Sequence, residues 1–267
     1  MGKIYSRPEK KDVEVFTNAD QHYTSGQLAE LLKCNDDPQY FIDNYLKILD
    51  LKLGVMPFTT RSYQQVQLST MQSKNLFCLQ PRQSGATVLP LAYQLWEALF
   101  RPNTQHGSAF VKYTQSVESI DLIHYWYVNL PKWLVPTITY RNRTIVEFGN
   151  GSRIVAGIIC GNFNRGRSWT TLYADCLSFA KERDQEDFWL VAVSSLISGR
   201  IFITGTPNGS ANTFAYVWES LLKTRNPYFV TMHIDPLAMY DQSKLDQILG
   251  VVGLRNFLRE YKCEFIA

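Results

Sequence analysis

Leu76-Phe77-Cys78-Leu79-Gln80-Pro81-Arg82-Gln83-Ser84-Gly85-Ala86-Thr87 runs from an apolar stretch into a polar loop, and Val88–Phe100 then reads as a helix that stops before Pro102. A four-residue apolar run bounded by turn residues fits a buried strand. Strand, loop and helix in that order are the setting of a P-loop, G-x-x-x-x-G-K-[ST]. There, backbone N–H groups cradle phosphates at a helix N-terminus, a lysine reaches the terminal phosphates and a hydroxyl holds magnesium. Gly85 and Thr87 stand where that pattern needs them, but Gln80 replaces the first glycine and Ala86 the lysine. A strand–turn–helix with one glycine is common, so this loop needs support from the rest of the chain.

Outward from it the chain alternates. Ala109–Val111 reads as a strand and Ser116–Asn129 as a helix. Thr144–Phe148 and Arg153–Gly157 flank Asn150-Gly151, a hairpin signal because both turn residues tolerate positive φ. Thr171–Ala174 reads as a strand, Gln185–Ser195 as a helix and Arg200–Thr204 as a strand. Residues 214–223 read as helix, Tyr228–His233 as strand and Leu254–Tyr261 as helix. Such alternation predicts an α/β fold with a mainly parallel sheet covered on both faces, its ligand site at the carboxyl ends of the strands. Upstream, Ser25 to about Leu53 reads as helical, with Ser25 as a cap and Tyr40-Phe41-Ile42, Tyr45-Leu46 and Ile48-Leu49 as the apolar stripe. This gives an N-terminal helical segment over 1–56, polar and loosely ordered in its first 25 residues, packed on a core over 57–267.

Composition sets the outer limits. Of the 267 residues 45% are hydrophobic and 19% charged, an ordinary globular balance. The net charge of +3 is too small to announce a nucleic-acid binder by itself, so any DNA contact must come from a local patch or from assembly. No apolar run is long enough to span a membrane, and Met1-Gly2-Lys3-Ile4-Tyr5 lacks a secretory signal's apolar core. Met1-Gly2 with Ser6 loosely fits a myristoylation pattern, with nothing else to support it. The five cysteines, Cys34, Cys78, Cys160, Cys176 and Cys263, are scattered and odd in number, as for reduced thiols in a cytosolic compartment.

Two more loops follow strands. Thr171-Leu172-Tyr173-Ala174-Asp175-Cys176 is an apolar strand ending in a carboxylate, the Walker B pattern: the aspartate orders a magnesium-bound water, and the next residue, usually glutamate, polarises the attacking water. Cys176 stands in that glutamate's place. Ile201-Phe202-Ile203-Thr204-Gly205-Thr206-Pro207-Asn208-Gly209 ends a strand in hydroxyls, an amide and two glycines, a loop able to hydrogen-bond a γ-phosphate and to move.

In this order and spacing the three loops resemble those of the large terminase subunits of tailed bacteriophages and their herpesvirus relatives. Arg82-Gln83-Ser84-Gly85-Ala86-Thr87 matches the family's Arg-Gln-x-Gly-Lys-Thr at all but the lysine; Tyr173-Ala174-Asp175-Cys176 matches the strand ending Asp-Glu at all but the glutamate. Thr204-Gly205-Thr206-Pro207-Asn208-Gly209 matches the T-x-P-N-G coupling motif. Asp37-Pro38-Gln39-Tyr40-Phe41, Gly54–Phe58 and Arg61-Ser62-Tyr63-Gln64 resemble the stretch ahead of the P-loop, and Tyr261–Phe265 the segment closing the ATPase domain, so the likeness spans roughly 37–267.

The resemblance implies an ASCE-type P-loop NTPase that binds ATP and Mg2+. Phe58, Arg61, Tyr63 and Gln64 would lie on the adenine side, Gln83, Ser84, Gly85, Ala86 and Thr87 around the phosphates, and Thr87 with Asp175 on the magnesium, partly through water. Arg82 would be the own-chain arginine aimed at the γ-phosphate. Arg165 would be offered to a neighbouring subunit's site; a solvated basic loop, touching DNA phosphates or nothing, is its equal alternative and the favoured reading of Arg167. Thr204, Gly205, Thr206, Pro207 and Asn208 would couple hydrolysis to movement of double-stranded DNA. The implied partners are a portal protein, a small terminase subunit and further copies in a ring. The implied setting is the cytoplasm of an infected host cell, transiently at the procapsid, with no membrane. The chain stops where the family's nuclease domain begins, and no nuclease activity is expected of it.

Ala86 has no charge to set against the terminal phosphates, and Cys176 is a poor substitute for a carboxylate, because a free thiol, with a pKa of about 8.5, is mostly neutral at pH 7. Both departures are expected to impair hydrolysis while the rest of the pattern stands. They fit deliberate inactivation or a natural subunit that no longer hydrolyses ATP, and leave a non-hydrolysing nucleotide-binding or assembly subunit as the alternative to the motor. A helicase of related core architecture fits Thr206–Gly209 less well.

Overall fold

The structure is a computed structural model that describes residues 23–50, 52–195 and 199–266. The expectations for residues 1–22, the myristoylation pattern included, lie outside the described residues. Thr24, not Ser25, starts the first helix. Its hydroxyl accepts the Gln27 amide at 3.2 Å and the Gln27 side chain accepts the Thr24 amide at 3.0 Å, a reciprocal cap that fixes α1 (Ser25–Asp36). Asp37 caps α2 (Pro38–Tyr45), which has proline in its first turn where no amide partner is needed.

The helical reading of the N-terminal segment fails beyond Tyr45. Leu46 is extended, and β1 (Lys47–Asp50) pairs antiparallel with β2 (Gly54–Pro57). Asp50 Oδ1 accepts the amides of Lys52 and Leu53, a side-chain turn that competes successfully with helix. The segment packs on the body through α2 and α4 (Val88–Phe100): Phe41 meets Phe100 edge-on at 5.2 Å, and Trp96 Nε1 donates to the Cys34 carbonyl at 2.7 Å.

After β2 come α3 (Ser62–Met71), β3 (Asn75–Leu79), α4, β4 (Gln105–Phe110), α5 (Tyr113–Val128), β5 (Ile138–Arg141), β6 (Ile145–Phe148), β7 (Arg153–Ile158) and α6 (Gly161–Asn164). Then follow β8 (Thr171–Asp175), α7 (Glu182–Ser195), β9 (Arg200–Gly205), α8 (Thr213–Thr224), β10 (Phe229–His233), α9 (Gln242–Val252) and α10 (Leu254–Glu260). The main sheet has the order β10-β3-β9-β8-β4-β7-β6-β5. Its pairings from β10 through to β7 are parallel, and β6 and β5 continue it antiparallel. The parallel strands read as continuous apolar runs because both faces are covered. Leu76, Cys78, Tyr173 and Phe202 face the core under α1–α5, while Phe77, Leu79, Leu172, Ile201 and Ile203 face the one under α7 and α8. This is the P-loop NTPase fold expected, with β9 inserted between the strand that feeds the glycine loop and the strand that ends in Asp175.

The β6–β7 turn departs from expectation in detail. Only Gly151 has positive φ (84°). Its amide closes a turn on Phe148, the three-residue form with a left-handed fourth position. Asn150 is occupied otherwise: its Nδ2 donates to the Ala98 and Leu99 carbonyls at the end of α4, and its Oδ1 accepts the Ser152 amide.

Candidate functional site

Strand register brings the three loops to one edge. Cys78 and Asp175 both pair with Thr204, and Leu79 pairs with Gly205, so β3, β9 and β8 end level and their loops leave the same side of the sheet. The loops enclose a cleft of about 330 Å³ lined by residues 80–83, 85–88, Asp175, Cys176, Gly205 and Thr206.

The loop after β3 is held by polar contacts. Gln80 donates its amide to Gly205, and Gln67 Nε2 donates to Gln80 Oε1 at 3.0 Å. Gln83 (φ 62°) and Gly85 (φ 80°) take left-handed backbone angles that fold the chain back toward α4. The Ser84 carbonyl accepts from Tyr63 Oη at 2.8 Å and from Gln64 Nε2 at 3.3 Å. Tyr173 Oη and Thr204 Oγ1 reach the Ala86 carbonyl at 3.0 and 3.2 Å. With their carbonyls tied down from behind, the amides of Gly85, Ala86 and Thr87 make no hydrogen bond among the described residues. They stand at the N-terminus of a 13-residue helix, where the dipole favours an anion.

A β-carbon on Gly85 would come within 2.6 Å of Gln64 Nε2. Gln64 cannot easily yield, since its Oε1 also accepts the Arg61 amide at 2.9 Å. Gly85→Ala is therefore expected to destabilise the chain by about 1–2 kcal/mol from the left-handed backbone alone, read as a lower unfolding midpoint. An unchanged midpoint would mean the loop has another ready conformation.

Thr87 Oγ1 donates to Asp175 Oδ2 at 3.0 Å, joining residues far apart in sequence across the mouth of the cleft. Asp175 is 4% exposed, and its other oxygen, Oδ1, has no hydrogen-bond partner among the described residues, like Ser84 Oγ. Burial raises the Asp175 carboxyl above its ordinary value, against the lowering pull of the Thr87 hydrogen bond. A buried, half-satisfied carboxylate beside a threonine hydroxyl and open amides fits a cation that also holds an anion. Among the described residues no three His, Cys, Asp or Glu side chains form a metal cage. The donors therefore suit Mg2+, which takes one or two protein oxygens with waters and phosphate, rather than Zn2+.

Cys176 follows in a left-handed conformation (φ 55°), its amide bonded to the Thr204 carbonyl at 2.9 Å. Burial, then the neighbouring Asp175, pushes its thiol well above the ordinary value, so it stays neutral in the cleft. Gly205 (φ 154°) is required beside it, since a β-carbon there would lie 3.0 Å from Cys176 Cα. Of the third loop Gly205 and Thr206 line the cleft, and the residues after them do not: Ser178 Oγ donates to the Thr206 carbonyl and Asn208 Nδ2 to that of Ser178, while Pro207 is buried.

Not every residue singled out by sequence meets the cleft. Phe58 is buried in the core and Arg61 stands at the N-cap of α3 with its amide donating to Gln64 Oε1, while Tyr63 and Gln64 act from behind the loop. Arg165 is exposed and does not line the cleft. Arg167 is stacked over Phe163 and Trp169, 5.4 and 5.6 Å from their ring centres, rather than simply solvated. Sequence reasoning missed Gln67, which holds Gln80, and Glu260, whose backbone carbonyl accepts the Arg82 amide at 3.1 Å and whose carboxylate accepts from Thr206 Oγ1 at 3.2 Å.

No protein-family model matches the chain. Solved structures do resemble it. The large terminase ATPase domain of Thermus phage P74-26 is similar at 15% identity and a TM-score of 0.60, over 78% of this chain and 95% of that one. The large terminase of bacteriophage HK97 is similar at 16% identity and a TM-score of 0.62, over 82% of this chain and 48% of that one. The large terminase of a thermophilic bacteriophage, in complex with ADP, is similar at 10% identity and a TM-score of 0.62, over 78% of this chain and 54% of that one. The match thus spans about half the length of these last two chains. At these identities the likeness is one of fold.

Proposed function

We propose that this chain is the ATPase motor domain of a viral DNA-packaging large terminase subunit, with ATP and Mg2+ bound in the cleft and hydrolysis impaired by Ala86 and Cys176. The observation that carries the reading is the Thr87–Asp175 hydrogen bond at the foot of the open helix N-terminus. It joins the two motifs that a nucleotide–magnesium site must bring together. The fold neighbours support it, and the large terminase of the thermophilic bacteriophage has been solved with both ADP and ATP-gamma-S. In this reading the amides of Gly85, Ala86 and Thr87 bind phosphate oxygens, and Thr87 and Asp175 hold the metal, directly or through its water. When bound, magnesium would neutralise charge on the phosphates. Arg82 offers a guanidinium to the γ-phosphate from the cleft wall, and Arg165, exposed and away from the cleft, would serve a neighbouring copy in a ring. Thr204–Asn208 would pass the change to bound double-stranded DNA, with a portal protein and a small terminase subunit as further partners, at the procapsid in the cytoplasm of an infected host cell. Among the described residues no helix is long and apolar enough to cross a membrane.

A second reading, a subunit that binds nucleotide or supports assembly without turnover, is favoured specifically by Ala86 and by the neutral thiol of Cys176. The two are separated with an Ala86→Lys/Cys176→Glu variant assayed with and without double-stranded DNA. Turnover that rises several-fold with DNA supports the motor. Turnover indifferent to DNA removes the coupling, and no turnover from a variant that binds ATP leaves the assembly subunit.

A further inference from the structure

A nucleotide seated on the amides of Gly85, Ala86 and Thr87 carries its base out past the cleft, and the side chains best suited to read that base are already engaged. Gln64 is buried; its Oε1 accepts the Arg61 amide at 2.9 Å and its Nε2 donates to the Ser84 carbonyl at 3.3 Å. Gln67 is buried as well, and its Nε2 serves Cys78 Sγ and Gln80 Oε1. The Tyr63 hydroxyl donates to Ser84, and Phe58 lies in the core. Beside the phosphate loop stand groups of another kind. Tyr240, half-buried between β10 and α9, donates its hydroxyl to the Arg82 carbonyl at 3.4 Å. Its ring meets that of Tyr261 edge-on at 6.3 Å, and Tyr261 stacks on Phe257 at 5.6 Å, so the ring is braced from α10. Arg61 is exposed and near this ring: burial raises the Tyr240 hydroxyl above its ordinary value, Tyr261 adds to the rise and Arg61 pulls it back.

We infer that the site does not read the base, and takes guanine nucleotides as readily as adenine nucleotides, the purine lying on the Tyr240 ring beside Arg61. This rests on the nucleotide reading above and widens its ligand from ATP to purine nucleotides. Adenine and guanine share an acceptor at N7 and differ at position 6, where adenine carries a donor and guanine an acceptor. Selecting adenine requires an acceptor aimed at its amine. Gln64 and Gln67 could supply one only by giving up the bonds that hold Ser84 and Gln80. A guanidinium donates and never accepts, so Arg61 suits N7 of either purine and O6 of guanine. Stacking on an aromatic ring tolerates any base, since every base has a π face. With no buried polar partner that the wrong base would leave unpaired, discrimination stays small.

The test is titration calorimetry of the full chain, with magnesium, against ADP, GDP and inorganic pyrophosphate, the last probing the phosphate loop without a base. It is repeated on Tyr240→Ala and Tyr240→Phe, each shown to be folded by its melting curve. ADP and GDP are expected to bind within about fivefold of each other, and a wider gap in either direction would mean that the base is read. Tyr240→Ala is expected to weaken both nucleotides about tenfold, the scale of one base–aromatic stack, and to leave pyrophosphate unchanged. Tyr240→Phe, which keeps the ring and loses the hydroxyl, should alter none of the three. A Tyr240→Ala variant that binds all three as before, or loses pyrophosphate as much as ADP, would overturn the inference, the second because the ring then props the loop rather than the base. If the unaltered chain binds neither nucleotides nor pyrophosphate, the nucleotide reading falls and this falls with it. If pyrophosphate and ADP bind and GDP does not, this inference fails alone.

Discussion

Ala86→Lys/Cys176→Glu is expected to turn over ATP about a thousandfold or more faster than the unaltered chain, by steady-state assay with magnesium. A single preorganised charge contact at a transition state contributes about 10²–10³ in rate. On the proposed reading two are lost, at Ala86 and Cys176, which line the same cleft. Ala86 is half-exposed and lines that cleft, so a lysine there has room, and its carbonyl contacts to Tyr173 and Thr204 are independent of the side chain. Glutamate at 176 inherits a left-handed backbone, a modest strain of about 1–2 kcal/mol, and replaces a thiol that burial holds neutral. Groups that act as a unit are not additive, so each single reversion should recover only a small part of the gain. A single Ala86→Lys variant as fast as the double would show that another carboxylate orients the water and that Cys176 is not a lesion.

Arg200→Met is expected to destabilise the fold by about 3–5 kcal/mol, the cost of stripping the partner from a buried charge. Arg200 starts β9 and bonds Glu97, the Tyr93 hydroxyl at 2.8 Å and the Met71 carbonyl, tying α4 and α3 beneath the sheet. Glu97 is 6% exposed and its Oε2 has no hydrogen-bond partner among the described residues. The nearby His106 is fully buried and pushed down to about 3 by burial, so it offers no counter-charge. Burial already holds the Glu97 carboxyl above its ordinary value, against the lowering effect of Arg200, and removing Arg200 raises it further. A carboxyl raised in the folded state favours folding while it is protonated. That contribution is present below the unfolded value, about 4.3, and is lost as pH rises through the folded one. The destabilisation should therefore be smaller at pH 5 than at pH 8, and the melting temperature at pH 8 should fall by roughly 10 °C, given about 2–4 °C per kcal/mol for a domain of this size. A loss of under 1 kcal/mol, or one independent of pH, would show that Glu97 is not held as an uncompensated charge.

What was legible in the sequence follows from what carried a periodic signal. The strands β3, β8 and β9 are apolar runs because both faces are buried, and each ends in the polar residues that form the cleft, so the fold class and the glycine loop at the cleft are readable together. The helix α3 was not, because the positions it buries include Gln64 and Gln67, whose task is to hold Ser84 and Gln80 rather than to pack. β5 is mostly exposed, and β1 runs straight on from an apolar helix, so neither shows a strand pattern against its surroundings. The resemblance implies a ligand contact for Phe58, and its side chain lies in the core near Leu46, whose carbonyl accepts its amide. Glu260 gave no signal at all. Its meaning lies in Arg82 and Thr206, which only the folded chain brings beside it.

Everything proposed for the cleft depends on the loop after β3 binding nucleotide phosphates, with a magnesium ion held at Thr87 and Asp175. The decisive experiment is calorimetric titration of the unaltered chain with ADP, with magnesium and with a chelator, repeated on Asp175→Asn. Saturable one-site binding that weakens on chelation, and an Asp175→Asn variant that is folded but indifferent to magnesium, is the expected result. A folded, unaltered chain with no saturable binding, or binding that ignores both magnesium and Asp175, would refute it.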